Sequence, residues 1–351
     1  MIVDTLRRAK LLKIKRKRYL PVPGHVLVHE GDPVHPEDVI AEAWLPDEVL
    51  ILDIANGLGI DAEEAGQYLV RRIGETLHQE DIVAQIEGAI PRLVRSPVEG
   101  TFIDFHQGKV VLATGKTMVK IRADMIGSIA EVIPELGVII SVTGSLVQGL
   151  WGNGRVGSGI LKVIESALER SLEIPDLVSL EGGLLVVAGM CSSANVLGKF
   201  KDKKAAGLIV RSLMPELIPM AVDLPFPVLV LQGFNDLQPD PISTEILQLR
   251  DGEIACINAC QRNVFTGQHP ELIIPQGKGT PKEEKSTKEK LDLGQQVILL
   301  SGSDTGKIGE VIALSDEKRR FESGLVLEAA EVRLENGEAI HVPSQNLLIL
   351  D

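Results

Sequence analysis

The spacing of apolar residues changes twice along the chain. Through residue 164 they come in short β-branched runs set off by glycine, which predicts strands joined by turns. Val39-Ile40 and Ile82-Val83 each start a strand ending in alanine. Arg95–Phe102 and Val110–Ala113 flank a Gly108-Lys turn, and Ile126–Val132 and Gly137–Val142 read as two more strands. Between them Asp61 is placed to N-cap a helix, Glu64 follows three residues later as in a capping box, and Ala62–Arg72 has helical composition.

From residue 182 the pattern alternates. Gly182–Gly189, Gly207–Arg211, Pro227–Gln232 and Glu253–Asn258 are short apolar runs suited to buried strands. Ser193–Lys204, Pro215–Val222 and Pro241–Leu249 between them are helical. This β/α alternation predicts a small parallel α/β layer. Residues 276–290 are nearly all polar or charged and predict a flexible linker. Strand patterning returns over 291–351, with Glu335-Asn-Gly337 as a hairpin signal. The expected fold is therefore multi-domain, α/β plus β: a basic arm (1–22), a β-rich unit with an inserted helix (23–122), a glycine-rich β extension with the α/β layer (123–275), the linker (276–290) and a small β-barrel (291–351).

The most specific feature is a repeat. Gly31-Asp-Pro-Val-His-Pro-Glu-Asp-Val-Ile-Ala41 and Gly74-Glu-Thr-Leu-His-Gln-Glu-Asp-Ile-Val-Ala84 match in register, 43 positions apart. Such short repeats usually mark two copies of one supersecondary unit sharing a core. Together with Gly24–Glu30 before it and Ser96-Pro-Val-Glu-Gly-Thr101 after it, the motif resembles the barrel-sandwich hybrid of biotinyl and lipoyl carrier domains. That hybrid is also found inserted in some electron-transport and RNA polymerase subunits. Carriers present a modifiable lysine on a hairpin tip. Here Ala41 is followed by Glu-Ala-Trp-Leu-Pro-Asp-Glu, and no lysine occurs until Lys109. The resemblance thus implies a scaffold without an attached cofactor, and no other cofactor is expected. The α/β stretch is similar in pattern to swivelling or protease-associated-like modules. Leu293–Gly302 followed by Gly306–Ala313 resembles a KOW motif, which implies a small barrel that binds RNA or protein.

Charge separates these last two. The chain carries a formal net charge of −13, and residues 291–351 hold five Lys/Arg against eleven Asp/Glu, a net of −6. Nucleic-acid binding rests on neutralised phosphates, so an acidic barrel points to a protein partner. Lys318-Arg319-Arg320 is a small basic exception that reads first as a solvated loop. Aromatic residues are only 3% of the chain, which argues against a base-stacking surface. The first 18 residues run the other way, with eight Lys/Arg against Asp4 alone. They read first as a solvated arm or short helix and second as a phosphate- or lipid-contacting arm through Arg7, Arg8, Lys15, Arg16, Lys17 and Arg18. No apolar run follows them as in a signal peptide, and no stretch of 18 apolar residues exists to span a membrane. Cys191, Cys256 and Cys260 are an odd, sparse set that fits a reducing, cytoplasmic setting.

Candidate chemistry is thin. Gly152-x-Gly154-x-x-Gly157 formally matches a dinucleotide fingerprint, with Arg155 at its centre, but such a fingerprint needs a strand before it and a helix after it. Ile160–Ile164 reads at least as readily as a strand, leaving a glycine-rich crossing of strands as the plainer reading. Ligands on open α/β sheets sit beyond the strand carboxyl ends, which here hold Cys191, Ser192, Ser193, Arg211, Ser212 and Asn235. Cys191 at a helix start could act as a nucleophile, yet no histidine lies in that segment, and a small helix-capping turn is the plainer reading. His25, His29, His35 and His78 lie in the repeat unit, where turn positions account for them better than a metal site does. The leading expectation is a non-enzymatic adaptor or assembly protein that binds other proteins. The alternatives are a nucleic-acid-associated transcription or translation factor, and a small-molecule sensor or enzyme.

Overall fold

A computed structural model describes residues 1–88, 90–277, 279–315 and 318–351. Strands cover 47% of the residues and helices 13%, distributed over several sheets, so the expected β-rich organisation holds. Among the described residues no helix is long and apolar enough to cross a membrane.

The two repeat copies are nested. In the inner copy Thr76–Leu77 pairs with Gly100–Thr101 at the start of the strand Gly100–His106. In the outer copy Pro33–Val34 pairs with Gly127–Ser128 at the start of the strand Gly127–Ile133. Each copy closes the same way. The turn before the acid is made without strain, because the left-handed positions there, at φ of 91° and 94°, are held by Gly31 and Gly74. His35 and His78 each donate a backbone N–H to an aspartate three residues on, Asp38 at 2.7 Å and Asp81 at 3.0 Å. These histidines therefore sit at equivalent turn positions. The copies do not share a core, contrary to expectation. Val34 and Ile40 pack with Ile129, Val138 and Ile140, whereas Leu77, Val83 and Ala84 pack with Phe102, Val110 and Leu112. A two-stranded ribbon separates them: Val39–Leu45 pairs with Thr117–Arg122, and Glu48–Asp53 continues by pairing with Lys109–Thr114.

The helix expected over 62–72 shrinks to one 3₁₀ turn at Ala65–Tyr68. Leu69 bridges to Ala84 and Val70 donates to the Val83 carbonyl, so strand pairing captures the backbone that a helix would need. The helix in this unit is instead Ile54–Leu58, capped by the Asp53 carboxylate and ended by Gly59 at φ 63°.

The basic segment is not an arm. Ile2–Leu6 runs parallel to Leu347–Leu350 in the sheet of the C-terminal unit, and Arg8–Tyr19 pairs along the central strand Gly137–Gln148. Leu12 and Ile14 alternate with lysines and turn into the core. The segment 276–290 is not a free linker either. Lys282–Glu283 pairs with Leu12–Lys13, and Lys288–Lys290 pairs with Ile2–Asp4. Polar composition removed the core signal there, but backbone pairing to an edge needs no apolar side chain.

The α/β layer forms as expected, with strands Leu184–Cys191, Gly207–Leu213 and Val228–Gly233 parallel to one another and to Val156–Val163. Its helices Ala194–Asp202, Ile218–Asp223 and Pro241–Leu249 cover two faces, each with its own apolar core. The last predicted strand, Ile254–Asn258, joins on the far side and runs antiparallel to Val156–Val163. It links the layer to Glu271–Pro275 and so to the central strand. The C-terminal unit is a seven-stranded sheet around Val297, Val311, Val332 and Ile349, and its Glu-Asn-Gly turn is present with Gly337 at φ 85°.

Candidate functional site

The arginines of the N-terminal strands are turned inward and paired. Arg7 bonds Asp351 at 2.5 Å and Glu289 at 3.0 Å, and Arg8 bonds Asp240. Arg16 bonds Glu271 at 2.6 Å and Glu284 at 2.7 Å. Burial opposes the Arg16 charge, but the two glutamates outweigh it and hold its pKa above the ordinary value. Burial likewise favours a neutral Glu271, and the adjacent Arg16 reverses this and lowers its pKa. Arg18 donates to the Ala123 carbonyl at 2.9 Å. Of the six residues expected to contact nucleic acid, only Lys15 and Lys17 are exposed.

The glycine run is a packing device. Trp151–Gly152 pairs with the strand Val228–Gly233, and the next element is the strand beginning at Val156, so no helix N-terminus follows the fingerprint. A Cβ on Gly152 would fall 2.3 Å from the Ala259 carbonyl oxygen, and one on Gly159 2.5 Å from that of Gly183. A Cβ on Gly157 would sit 3.0 Å from the Ala206 oxygen. Gly154 turns the chain at φ 83°, with exposed Arg155 beside it. Asn153 pins the loop by donating to the Ala221 and Phe226 carbonyls and accepting from the Val228 N–H.

The strand ends are filled. Cys191 is fully buried, and burial pushes its thiol up to about 11, the reverse of an activated nucleophile. The Ser192 hydroxyl bonds that of Ser171 at 2.5 Å, and Ser193 occupies the N-cap position of Ala194–Asp202 without a side-chain cap bond. Arg211 spans to the Leu168 carbonyl at 2.9 Å, which caps the short 3₁₀ turn Glu165–Ala167. Asn235 donates to the Thr305 carbonyl at 3.1 Å, so the C-terminal unit sits over this end of the sheet. A cavity of about 380 Å³ remains at that junction, between Gln232, Asp236 and Gln238 on one side and Gly306, Lys307 and Asn336 on the other. Among the described residues, no three His, Cys, Asp or Glu side chains converge as metal ligands.

A second place was passed over as a solvated loop. Arg319–Arg320 and Val326–Leu327 form a hairpin, turned by Gly324 at φ 82°. Beneath it lies a cleft of about 720 Å³ lined by Arg319, Arg320, Phe321, Leu325, Ile340 and His341. Lys318, Arg319 and Arg320 are exposed and, among the described residues, have no carboxylate within ion-pair distance. Leu325 and Val326 are 58% and 54% exposed. The sequence did carry this signal: Ser323-Gly324 between a basic pair and Leu325-Val326 is a strand–turn–strand pattern. What was not legible was the depth of the cleft, which depends on Ile340 and His341 arriving from another strand.

No protein-family model matches the chain, and no curated protein shows significant similarity to it.

Proposed function

We propose that the protein is a non-enzymatic adaptor whose C-terminal unit holds an acidic, aliphatic stretch of another protein in the cleft under the Arg319–Leu327 hairpin. The observation that carries this is the exposed pair Arg319 and Arg320 on a partly apolar cleft, with exposed Lys318 beside them and, among the described residues, no carboxylate paired to any of the three, on a unit of net charge −6. Elsewhere in the chain Arg7, Arg8 and Arg16 are spent on carboxylates, whereas this row meets none among the described residues and faces outward. Phe321, Leu325 and Ile340 give the apolar contacts that an acidic peptide's leucines would cover. The nested pairing of the two repeat copies supports the barrel-sandwich-hybrid reading of the N-terminal half, and the antiparallel pairing of Gln296–Leu299 with Ile308–Leu314 supports the KOW-like reading of the C-terminal one. In this reading the inner copy carries no attached group: the hairpin after Ile86 holds Glu87, Gly88, Ile90 and Pro91, with position 89 outside the described residues.

A nucleic-acid reading rests on the same three cations. One experiment separates the two. Fluorescence anisotropy of the full chain is measured with a labelled peptide of alternating glutamate and leucine, and with a labelled single-stranded RNA of similar length. The adaptor reading expects peptide binding that Arg319→Glu/Arg320→Glu abolishes, and RNA binding that vanishes at physiological salt. Tight RNA binding with a steep salt slope, and no peptide binding, would transfer the site to nucleic acid.

A further inference from the structure

The four-stranded sheet of the inner repeat unit has an open edge. Its order places Glu48–Asp53 outermost, paired among the described residues only with Lys109–Thr114. Leu50 and Leu52 face inward opposite Leu112 and Val110, which are fully buried. Val49 and Ile51 face the other way and are 55% and 62% exposed. Behind them on the same face stand Val111 and Ala113, so the outer surface is aliphatic across two strands, with Thr101 and Asp104 opposite them on the third.

The backbone edge is open as well. Ile54 donates its N–H to the Gly108 carbonyl at 2.9 Å. Antiparallel ladders alternate, so stepping back by twos directs the backbone groups of Leu52 and Leu50 toward Lys109–Thr114. Those of Val49, Ile51 and Asp53 therefore point away from the sheet. Proteins usually blunt such an edge with lysine, proline, a bulge or extreme shortness. Glu48–Asp53 has six residues, no lysine and no proline, and its register with its neighbour runs without a bulge.

Charge says what fits. Asp47 and Glu48 stand at one end of the strand and Asp53 at the other. A second copy pairing antiparallel about a two-fold axis through Leu50 would set Asp47 opposite Asp53 of its mate, twice, and like charges directly opposite are destabilising; an axis through Ile51 would set each Asp53 carboxylate against Val49 of the mate. A strand with aliphatic alternation and a lysine or arginine at each end meets both acidic ends favourably.

We infer that Glu48–Asp53 is a docking edge that accepts, by antiparallel β-augmentation, an extended segment of a partner protein with alternating β-branched residues and basic flanks. This surface is separate from the C-terminal cleft and does not depend on it.

The test uses the full chain and a labelled synthetic peptide of three Val-Thr repeats flanked by lysines, with a glutamate-flanked version as control. Fluorescence anisotropy is expected to show the lysine-flanked peptide binding about tenfold tighter than the control. Ile51→Lys, which changes an exposed side chain, should abolish binding. Ile51→Pro, which removes an outward N–H and keeps an apolar side chain, should weaken it by a similar factor. Arg319→Glu/Arg320→Glu should leave it unchanged, which keeps failure here distinct from failure at the cleft. Equal binding of the two peptides, or wild-type affinity in both Ile51 variants, overturns the inference. So does a dimer of the wild-type chain that Ile51→Lys converts to monomer, since the edge would then be taken by a second copy.

Discussion

Replacing Arg8 with methionine should cost about 3–5 kcal/mol of stability, the usual loss when one member of a buried ion pair is removed. The Arg8 and Asp240 side chains are 2% and 6% exposed. Asp240 also accepts from the Ser243 N–H at 2.9 Å and so caps the helix Pro241–Leu249. Methionine fills much of the space but strands a buried carboxylate without its counter-charge. Adding Asp240→Asn removes that charge and keeps a capping side chain, so the double variant should recover most of the loss and stand within about 1–2 kcal/mol of wild type. Burial shields the pair from ions, so the Arg8→Met effect should change little with salt. Urea unfolding followed by tryptophan fluorescence gives the global value, because Trp151 packs against the α/β core. Amide exchange over Pro241–Leu249 gives the local one, which matters in a molecule of several sheets where unfolding need not be all-or-none. A solvated basic arm predicts a different outcome, since surface substitutions fall within about 0.5 kcal/mol of zero. A loss that small would refute the placement of Arg8–Tyr19 as a core strand.

Two further outcomes follow from buried groups. His269 is 2% exposed, and burial, aided by Arg262, lowers its pKa from 6.5 to about 4. Its folded pKa lies below the unfolded one, so its contribution is complete above pH 6.5 and is lost as the pH falls toward 4, about 3 kcal/mol in all. Unfolding free energies measured across that window should slope for the wild type and flatten for His269→Leu; parallel slopes would contradict this. Gly152→Ala should cost about 1–3 kcal/mol by overpacking against the Ala259 carbonyl. Saturating NAD or ATP should leave the melting temperature of the wild type unmoved, and a rise would reinstate a nucleotide site at the glycine run.

Local periodicity determined much of what was legible in advance. The α/β strands and helices, the hairpin at Glu335-Asn-Gly337 and the repeat of Gly31–Ala41 in Gly74–Ala84 are each written within a few residues, because they depend on side-chain spacing and turn chemistry. Even the strand Arg8–Tyr19 left a trace, in the alternation of Leu12 and Ile14 with Lys13 and Lys15, although the density of charge there suggested solvent. Tertiary structure alone decided which distant groups meet. The arginines of Arg8–Tyr19 became interior because Asp240 and Glu271, over two hundred residues away, are brought beside them. Lys282–Glu283 and Lys288–Lys290 became ordered because edge pairing needs backbone groups and not apolar side chains. The same distinction separates the two docking surfaces from the motifs. A cleft needs walls from separate strands, and an open edge exists only once the sheet order leaves one strand without a second neighbour. Neither is a property of any local stretch, so neither could be read before the chain was folded.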